Sequence, residues 1–295
     1  MTIVDLGLFT PSVVLDVART AGLLADAGID VREHAVASSP AQLRALADRE
    51  LDLAITSPDN VLLYTGFADN PLGRTLPLTI TAALDRGLGL SLWTRPGLAP
   101  REARILGVDV PVSGFALAAR ALLARHGLAP AETVSLGSTP RRRAALVAGE
   151  CDITILGAGN ELRAEADGCT RVATVEELGP YLGAVTVRMT SLEDARAQAA
   201  DAVAGILVAV GAQIVAGEHD DAVVAAAGRL LELGPTAARR HLDVLRDART
   251  GIVAGGRLER SAVDTLVALR SGAQDAAALS AVADRLVASA SGPAR

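Results

Sequence analysis

The chain of 295 residues contains no lysine, and all 28 of its basic residues are arginines. This absence excludes reactions that need a lysine amine, such as Schiff-base formation with pyridoxal phosphate. With a net charge of −6, the sequence also lacks the clustered positive charge of a nucleic-acid-binding surface, so we expect no nucleic-acid partner. The longest basic run is 141–143, three arginines at a predicted helix start. We interpret it as a solvent-exposed helix face rather than a phosphate-binding patch.

Aromatic residues make up only 2% of the chain, so the core must be built from alanine, leucine and valine. The two cysteines, Cys151 and Cys169, have no metal-binding spacing, and none of the four histidines has a histidine or cysteine at ligand spacing. We expect free thiols, no metal site and no cofactor. The sequence patterns of serine hydrolases, P-loop proteins and zinc proteases are also absent.

The first residues, MTIVDLGLFTPS, show no basic start, no long apolar stretch and no cleavage site. As the sequence is written we expect a cytoplasmic protein, or a periplasmic or otherwise extracytoplasmic one if a leader precedes it. The longest uncharged run, 202–217, has 16 residues, fewer than the ~20 that cross a bilayer. It predicts a buried helix, and we expect no membrane insertion.

Residues 41–60 and 141–160 align without a gap at an offset of one hundred. Six aligned pairs are identical, namely Ala45 and Ala145, Leu46 and Leu146, Glu50 and Glu150, Asp52 and Asp152, Ile55 and Ile155, and Asn60 and Asn160. Two distant copies of a β-α-β-α-β unit predict two lobes, because a solenoid needs three or more short repeats. A cleft between two lobes is a common place for a ligand.

The alternation of strands with helices predicts an α/β fold with parallel sheets. We predict two Rossmann-like lobes with a cleft between them: lobe 1 over 1–92, lobe 2 over 93–185, and a return to lobe 1 over 186–295. The last part carries C-terminal helices that pack on the first lobe. A stretch rich in proline and glycine, 96–100, places the first crossing between lobes. We expect the tail, 291–295, to be frayed.

Ligands of open parallel sheets bind beyond the carboxyl ends of the strands, near helix N-termini that favour anions. The loops at these ends are rich in hydroxyl, amide and glycine residues. The candidate ligand-binding residues are Thr10, Pro11, Ser12, Ser39, Ser57, Asp59, Asn60, Ser113, Gly114, Phe115, Thr139 and Asn160. Each serine or threonine could instead only cap its helix. We predict no catalytic residue, and we interpret Asp52 and Asp152, which alternate with apolar neighbours, as structural.

Several segments resemble type II periplasmic substrate-binding proteins of ABC importers, in the group that takes up aliphatic sulfonates, nitrate, taurine and thiamine-pyrimidine precursors. The resemblance rests on a helix ending in AGIDV, the loop SPAQ, the motif ELD and the loop SPDN, and it continues through GVDVPVSGFALAARALLARHGL, LVAGECDITILG and DARTGIVAGGRLE. It implies two lobes that close like a hinge on a ligand, and an ABC permease as a partner. By the same resemblance the residues facing the ligand would be Thr10, Ser12, Ser39, Ser57, Asn60, Ser113 and Gly114.

The resemblance also extends to enzymes built on this scaffold, the pyrimidine synthases of thiamine biosynthesis and the aromatic sulfinate desulfinases. The former use a cysteine-rich motif and a lysine, and the latter a cysteine in the first loop, which is Thr10-Pro11-Ser12 here. The leading hypothesis is therefore a binding protein for a small polar or anionic organic molecule, without covalent chemistry. The alternatives are a cytoplasmic lyase or isomerase-like enzyme with Asp59 or Glu161 as proton-transfer group, and an intracellular sensor.

Overall fold

The computed structural model describes residues 1–290, and the tail predicted to be frayed, 291–295, lies outside the described residues. The strands are β1 (Thr2–Leu8), β2 (Ile29–Ala35), β3 (Leu53–Thr56), β4 (Leu78–Asp85), β5 (Ser91–Thr94), β6 (Ile105–Val108), β7 (Glu132–Ser135), β8 (Ile153–Leu156), β9 (Thr170–Thr174) and β10 (Ala184–Met189). The helices are α1 (Val13–Thr20), α2 (Leu23–Asp26), α3 (Ser39–Ala47), α4 (Pro58–Gly66), α5 (Gly114–Arg125), α6 (Thr139–Ala148), α7 (Asn160–Ala166), α8 (Asp194–Val215), α9 (Asp220–Leu230), α10 (Pro235–Arg246), α11 (Arg260–Arg270) and α12 (Ala276–Ala290).

The strands form two sheets of five, one in each lobe, with the same plan. The first has the order β2-β1-β3-β10-β4 and the second the order β7-β6-β8-β5-β9. In each sheet four strands run in one direction and the fourth strand of the order is antiparallel to both its neighbours, so the sheets are mixed where the sequence predicted parallel ones. Leu6 lies opposite Leu53 in the first sheet and Leu106 opposite Ile153 in the second, so the register repeats at the sequence offset of one hundred. The predicted α/β fold with two Rossmann-like lobes is confirmed.

The chain crosses between the two sheets over 86–90 and again over 179–183. β5 pairs with β8 and β9 along its length, and β10 pairs with β3 and β4. The predicted lobe boundaries, after residues 92 and 185, therefore fall inside these two strands. The stretch rich in proline and glycine, 96–100, follows β5 in the sequence. Because β5 already pairs with the second sheet, this stretch lies within the second lobe and is not the crossing between lobes.

A third segment, 250–253, runs beside the first crossing. The N–H of Arg86 donates to the carbonyl of Gly251 at 2.9 Å, and that of Leu88 donates to the carbonyl of Thr250 at 2.8 Å. On its other side the first crossing meets the second, since the N–H of Gly183 donates to the carbonyl of Asp85 at 2.9 Å. The backbone groups of the crossing are thus paired, as buried backbone requires.

The C-terminal helices α8, α9 and α12 pack on the first lobe, against α1, β4 and α4. This packing confirms the predicted placement of the C-terminal helices. Two of the helices reach further: α11 also packs on α5, and α10 also contacts α7, both in the second lobe. The C-terminal helices therefore cover the seam between the lobes as well as the first lobe.

Among the described residues one helix, α8, is long and apolar enough to cross a membrane by length and composition alone. It contains most of the uncharged run predicted to be a buried helix. One face of α8 carries Val203, Leu207, Val210 and Ile214, and these residues share a hydrophobic cluster with β1 and α1. Packing in the core therefore explains why this face of α8 is apolar.

Asp52 and Asp152 take the same structural position in the two lobes. The Asp52 carboxylate accepts a hydrogen bond from the N–H of Asp5 at 3.0 Å, and that of Asp152 accepts from the N–H of Ile105 at 3.1 Å. An arginine neutralises each: Nη2 of Arg196 lies 2.5 Å from Asp52, and Nε of Arg95 donates to Asp152 at 2.9 Å. Burial alone would raise the pKa of Asp152, but the hydrogen bonds from Arg95 and from backbone N–H groups lower it below its ordinary value. The structural interpretation of both residues is confirmed.

The Asp52→Ala variant is expected to lose about 2 kcal/mol of unfolding free energy, because the buried N–H of Asp5 loses its acceptor. Asp48→Ala is the matched control, since Asp48 is exposed and lies 3.8 Å from Arg74. That pair should contribute less than about 1 kcal/mol. Urea unfolding of the three proteins measures both changes. Equal losses in the two variants would contradict a structural role that is special to Asp52.

Candidate functional site

A cavity of about 180 Å³ lies between the two lobes. One water needs about 10–15 Å³ on this measure, so the cavity has room for a small organic molecule. Both lobes, the crossing 86–90 and the helices α8 and α10 contribute to its wall. Nine of the twelve predicted ligand-binding residues line it, namely Thr10, Pro11, Ser12, Ser57, Asn60, Ser113, Gly114, Phe115 and Thr139.

The other three predicted residues, Ser39, Asp59 and Asn160, do not line the cavity. The N–H and hydroxyl of Ser39 donate to the carboxylate of Asp109, at 3.3 and 2.8 Å, so this first-lobe serine binds a second-lobe side chain. Asn160 donates its side-chain amide to the carbonyl of Gly157 at 3.2 Å. Each of these side chains is therefore bonded to the protein itself instead of facing the cavity.

Asp59 is held by a buried ion pair with Arg270, whose Nε donates to Oδ1 at 2.8 Å and whose Nη2 contacts Oδ2. The same Nη2 donates to the carbonyl of Val112 in the second lobe at 2.8 Å. Gly114 lies directly against this carboxylate, since a Cβ on Gly114 would lie 2.6 Å from the Asp59 Cβ. The ion pair thus joins α4, α11 and the second lobe, and it leaves Asp59 engaged within the protein.

Three serines on the cavity wall cap helices. Ser12 accepts a hydrogen bond from the first turn of α1 at 3.2 Å, Ser57 from that of α4 at 3.3 Å and Ser113 from that of α5 at 3.3 Å. The capping role that the sequence left open is therefore real. It also brings the N-termini of three helices to one cavity, and helix N-termini favour negative charge.

Arg142 lies on the cavity wall with only 2% of its surface exposed. Its Nη1 donates to the carbonyl of Gly137 at 2.6 Å, and its Nη2 donates to the hydroxyl of Thr139 at 3.1 Å and to the carbonyl of Ile155 at 3.2 Å. The prediction of a solvent-exposed face over 141–143 is wrong for this residue, because α6 turns Arg142 inward while Arg141 remains exposed.

The charge of Arg142 has no close partner. Burial lowers its pKa to about 10, so the guanidinium stays protonated at neutral pH. Within residues 1–290 no carboxylate lies within ion-pair distance of it. The Asp109 carboxylate, which also lines the cavity, acts on the guanidinium from beyond ion-pair distance and is bonded to Ser39. A buried charge without a paired partner is costly, which favours an anion next to it.

The internal repeat shows that the bond from Arg142 to the Ile155 carbonyl does not need a positive charge. Gln42 occupies the equivalent position in the first lobe, and its Nε2 donates to the carbonyls of Gly7 and Ile55, each at 3.0 Å. Ile55 is the repeat counterpart of Ile155, the residue that Arg142 bonds. A neutral amide therefore bridges the same strand end in one lobe, and the positive charge in the other lobe is available for a second purpose.

The first crossing contributes a strained turn to the cavity wall. Gly87, Leu88 and Gly89 all have positive φ, at 113°, 46° and 73°. The left-handed region costs an ordinary residue roughly 1–2 kcal/mol, whereas glycine adopts it freely. Leu88 lines the cavity, as does Ala158, which also has positive φ, 54°, and donates its N–H to the Leu88 carbonyl at 2.8 Å. Backbone strain of this kind concentrates at functional sites.

Besides Arg142, three buried ionisable side chains line the cavity: Asp109, which is bonded to Ser39, His241 and Asp85. Burial lowers the pKa of His241 to about 4, so its imidazole is neutral at physiological pH. Burial raises the pKa of Asp85 to about 6, and its Oδ1 accepts a hydrogen bond from the N–H of Gly87 at 2.8 Å. Both cysteines are buried free thiols, and the described residues contain no cluster of three or more His, Cys, Asp or Glu side chains placed for a metal.

Sequence reasoning missed Arg142, Asp109, Leu88 and the contribution of α8 and α10 to the wall. Two signals were present in the sequence. Arg142 aligns with the neutral Gln42 in the repeat, and Leu88 stands between two glycines. No local pattern marks the residues of the C-terminal helices, because they reach the cavity only through tertiary packing.

No protein-family model matches the sequence, and no curated protein matches it. Solved structures match over nearly the whole chain. The alkanesulfonate-binding protein SsuA from Xanthomonas axonopodis pv. citri, bound to MOPS, has 18% identity and a TM-score of 0.71, with 97% of this chain and 94% of that chain covered. The periplasmic nitrate-binding protein NrtA from Synechocystis PCC 6803 has 15% identity and a TM-score of 0.73, with 100% and 90% covered.

A conserved gene product of Candida albicans, described as having the generic periplasmic binding protein fold, matches with 12% identity and a TM-score of 0.69, covering 96% of this chain and 95% of that chain. At identities this low, the likenesses establish the fold alone. The chain has the periplasmic binding protein fold, as its sequence predicted.

Glu161, one of the two proton-transfer candidates, is buried away from the cavity wall. It lies against Gly89, and neither of its carboxylate oxygens has a hydrogen-bond partner among the described residues. Burial raises its pKa from 4.5 to about 8. The folded protein therefore holds this proton longer than the unfolded chain, and stability is lost as pH rises through that interval.

We expect the unfolding free energy to fall by about 1–2 kcal/mol between pH 6.5 and 8, with Glu161→Gln removing most of the slope. This window avoids Asp85 and His241, which titrate below it. Glu150→Gln, a change at an exposed position outside α7, is the control that should keep the slope. Urea unfolding at four pH values measures it. An unchanged slope in Glu161→Gln would show that another group titrates.

Proposed function

We propose that the chain binds a small organic molecule with an anionic group in the cavity between its lobes, as ABC-importer substrate-binding proteins do. The observation that carries this proposal is the buried guanidinium of Arg142 on the cavity wall, which has no paired carboxylate and whose bond to the Ile155 carbonyl is made without charge by Gln42 in the other lobe. An anionic ligand would supply the missing counter-charge.

The surroundings of Arg142 support an anion in the same place. The N-terminus of α5, capped by Ser113, lies on the cavity wall, and Thr139 at the start of α6 lies beside the guanidinium. Hydrogen-bond donors and positive helix ends that converge on one point bind oxyanions. The interior of a protein screens charge less than water does, so a single buried cation contributes more to affinity here than on the surface.

The neighbours in fold include proteins named for alkanesulfonate and nitrate. Among the ligand types that the sequence resemblance implies, we propose an organic anion of the sulfonate or carboxylate kind, because most of the remaining wall is apolar. An ABC permease is the partner that this proposal implies. The enzyme hypothesis has less support, since both of its proton-transfer candidates, Asp59 and Glu161, are buried off the cavity wall.

A thermal-shift screen tests the proposal, with sulfonates, carboxylates, nitrate, pyrimidines and flavin precursors as probes. A ligand at one hundred times its dissociation constant adds about 2.7 kcal/mol to stability, which raises the melting temperature by several degrees. Organic anions are expected to give the largest shifts, and chromatography after incubation should recover them unchanged. If a ligand that binds were consumed during the incubation, the function would be catalysis and not binding alone.

The Arg142→Gln variant is expected to keep the fold, because Gln42 shows that a glutamine at this position can bond the carbonyl that corresponds to Ile155. Its affinity for the best anion should fall by roughly 10- to 100-fold, the usual effect of losing a hydrogen bond to a charged group. Arg141→Gln is the matched control, since its side chain is exposed on the same helix. Isothermal titration measures both affinities. Equal affinity in wild type and Arg142→Gln would reject Arg142 as the anion site.

A further inference from the structure

One part of the cavity wall is formed by aliphatic side chains only, and we call it the apolar wall. It consists of Val14, Leu88, Leu207, Leu231, Leu245 and Ile252. All six belong to a single hydrophobic cluster, so they lie together in the structure. They come from α1, the first crossing, the C-terminal helices and the segment 250–253, whereas Arg142 and the serines come from helix N-termini. The cavity therefore has a charged part and an apolar part.

A glycine in the helix beside the apolar wall makes room for one of its aliphatic side chains. Gly211 lies on the cavity wall inside α8, a helix interior that disfavours glycine. A Cβ at this position would lie 2.9 Å from Cγ2 of Ile252, so the glycine lets Ile252 reach the wall. Gly205 in the same helix has open space around it, which shows that close packing is particular to Gly211.

Leu88 gives the strongest evidence that the apolar wall has a role in binding. The backbone at this position has positive φ, and the residues on either side are glycines with positive φ. Glycine would adopt the turn without strain, yet a leucine is present and its side chain lines the cavity. The side chain, rather than the turn, is therefore what the position requires. His241, the one polar group from the C-terminal helices on the cavity, is neutral because burial lowers its pKa to about 4.

Building on the proposed function, we infer that the ligand carries a hydrocarbon portion of several carbons that lies against the apolar wall, and that Leu88 determines how much of it is bound. The charged group is held at Arg142, and the alkyl or aryl portion extends under α8 and α10. The site then selects organic anions with such a portion over small inorganic anions such as nitrate. Pockets of this kind use a few polar groups to orient a ligand and apolar surface to bind it.

Isothermal titration with linear alkanesulfonates and alkanecarboxylates of one to eight carbons tests this inference, with nitrate as the anion that has no hydrocarbon portion. Each methylene that contacts the wall should tighten binding by about fourfold. The affinity is expected to rise with chain length and level off once the wall is filled. An affinity that does not depend on chain length would overturn this inference and leave the proposed function standing, whereas no binding by any probe would overturn both.

Two substitutions of Leu88 separate its side chain from the strain of its backbone. Leu88→Ala and Leu88→Gly should both weaken hexanesulfonate binding by roughly tenfold and leave methanesulfonate binding unchanged, because both remove contacts with the longer chain. Leu88→Gly should melt at a higher temperature than Leu88→Ala, because only glycine adopts this φ without strain. Equal losses for the two sulfonates would mean that Leu88 acts on the whole site, and would overturn its role in chain length.

Arg49→Gly is the control for relief of backbone strain. Arg49 has a positive φ of 62° at an exposed position, and its repeat counterpart is Gly149, with φ of 78°. This variant should gain thermal stability without changing the affinity for any probe. Arg142→Gln should differ from the Leu88 variants, because it should lose a similar factor of affinity at every chain length. Loss of chain-length dependence in Arg49→Gly would show that stability alone produces the effect assigned to Leu88.

Discussion

The buried ion pair between Asp59 and Arg270 fixes α11 against α4 of the first lobe and holds the Arg270 guanidinium where it meets the second lobe. It joins residues 211 positions apart in the sequence, and the same guanidinium donates to the carbonyl of Val112 in the second lobe. Removing two charges from water is costly, so such a pair adds little net stability. Separating its members would leave an uncompensated buried charge, however, so alternative packings of α11 are penalised. The pair fixes geometry, and the cavity depends on that geometry.

Comparison of the two repeats separates structural positions from positions that carry the site. Asp52 and Asp152 keep the same residue and the same backbone partner, because any copy of the unit needs that N–H satisfied. Gln42 and Arg142 both donate to the carbonyl of the equivalent isoleucine, Ile55 or Ile155, and differ in charge. An internal duplication thus provides its own control. Hydrogen bonds that both repeats make are those the fold needs, whereas the positive charge is present at this position in the second lobe only.

The sequence predicted the two lobes, their strand and helix plan and the structural aspartates, because hydrophobic periodicity and capping residues are local signals. It also placed nine candidate residues on the cavity, since strand ends of a parallel sheet meet at one edge. It failed where the answer depends on distant packing. The inward turn of Arg142, the pairing of Asp59 with Arg270 and the arrival of Leu207 at the cavity all require knowing what each helix packs against, which periodicity does not encode.

The contacts that join the lobes also limit what opening of the cleft would cost. Asp59 and Arg270 both belong to elements that pack on the first lobe, so opening would leave that ion pair intact. It would break the bond from Arg270 to Val112, the two bonds from Ser39 to Asp109, and the packing of α11 on α5 and of α10 on α7. It would also break three ion pairs at the surface, Arg240 with Glu165, Arg163 with Glu232 and Arg249 with Glu176, each of which contributes little. Each such hydrogen bond contributes roughly 1 kcal/mol net, somewhat more where a charge takes part. A ligand that is held only between closed lobes binds the closed state more tightly than the open state. A free-energy difference as large as that of these bonds changes the ratio of closed to open protein by roughly a hundredfold. The buried bonds across the cleft are thus few enough that a ligand of the proposed kind would be able to hold the lobes together.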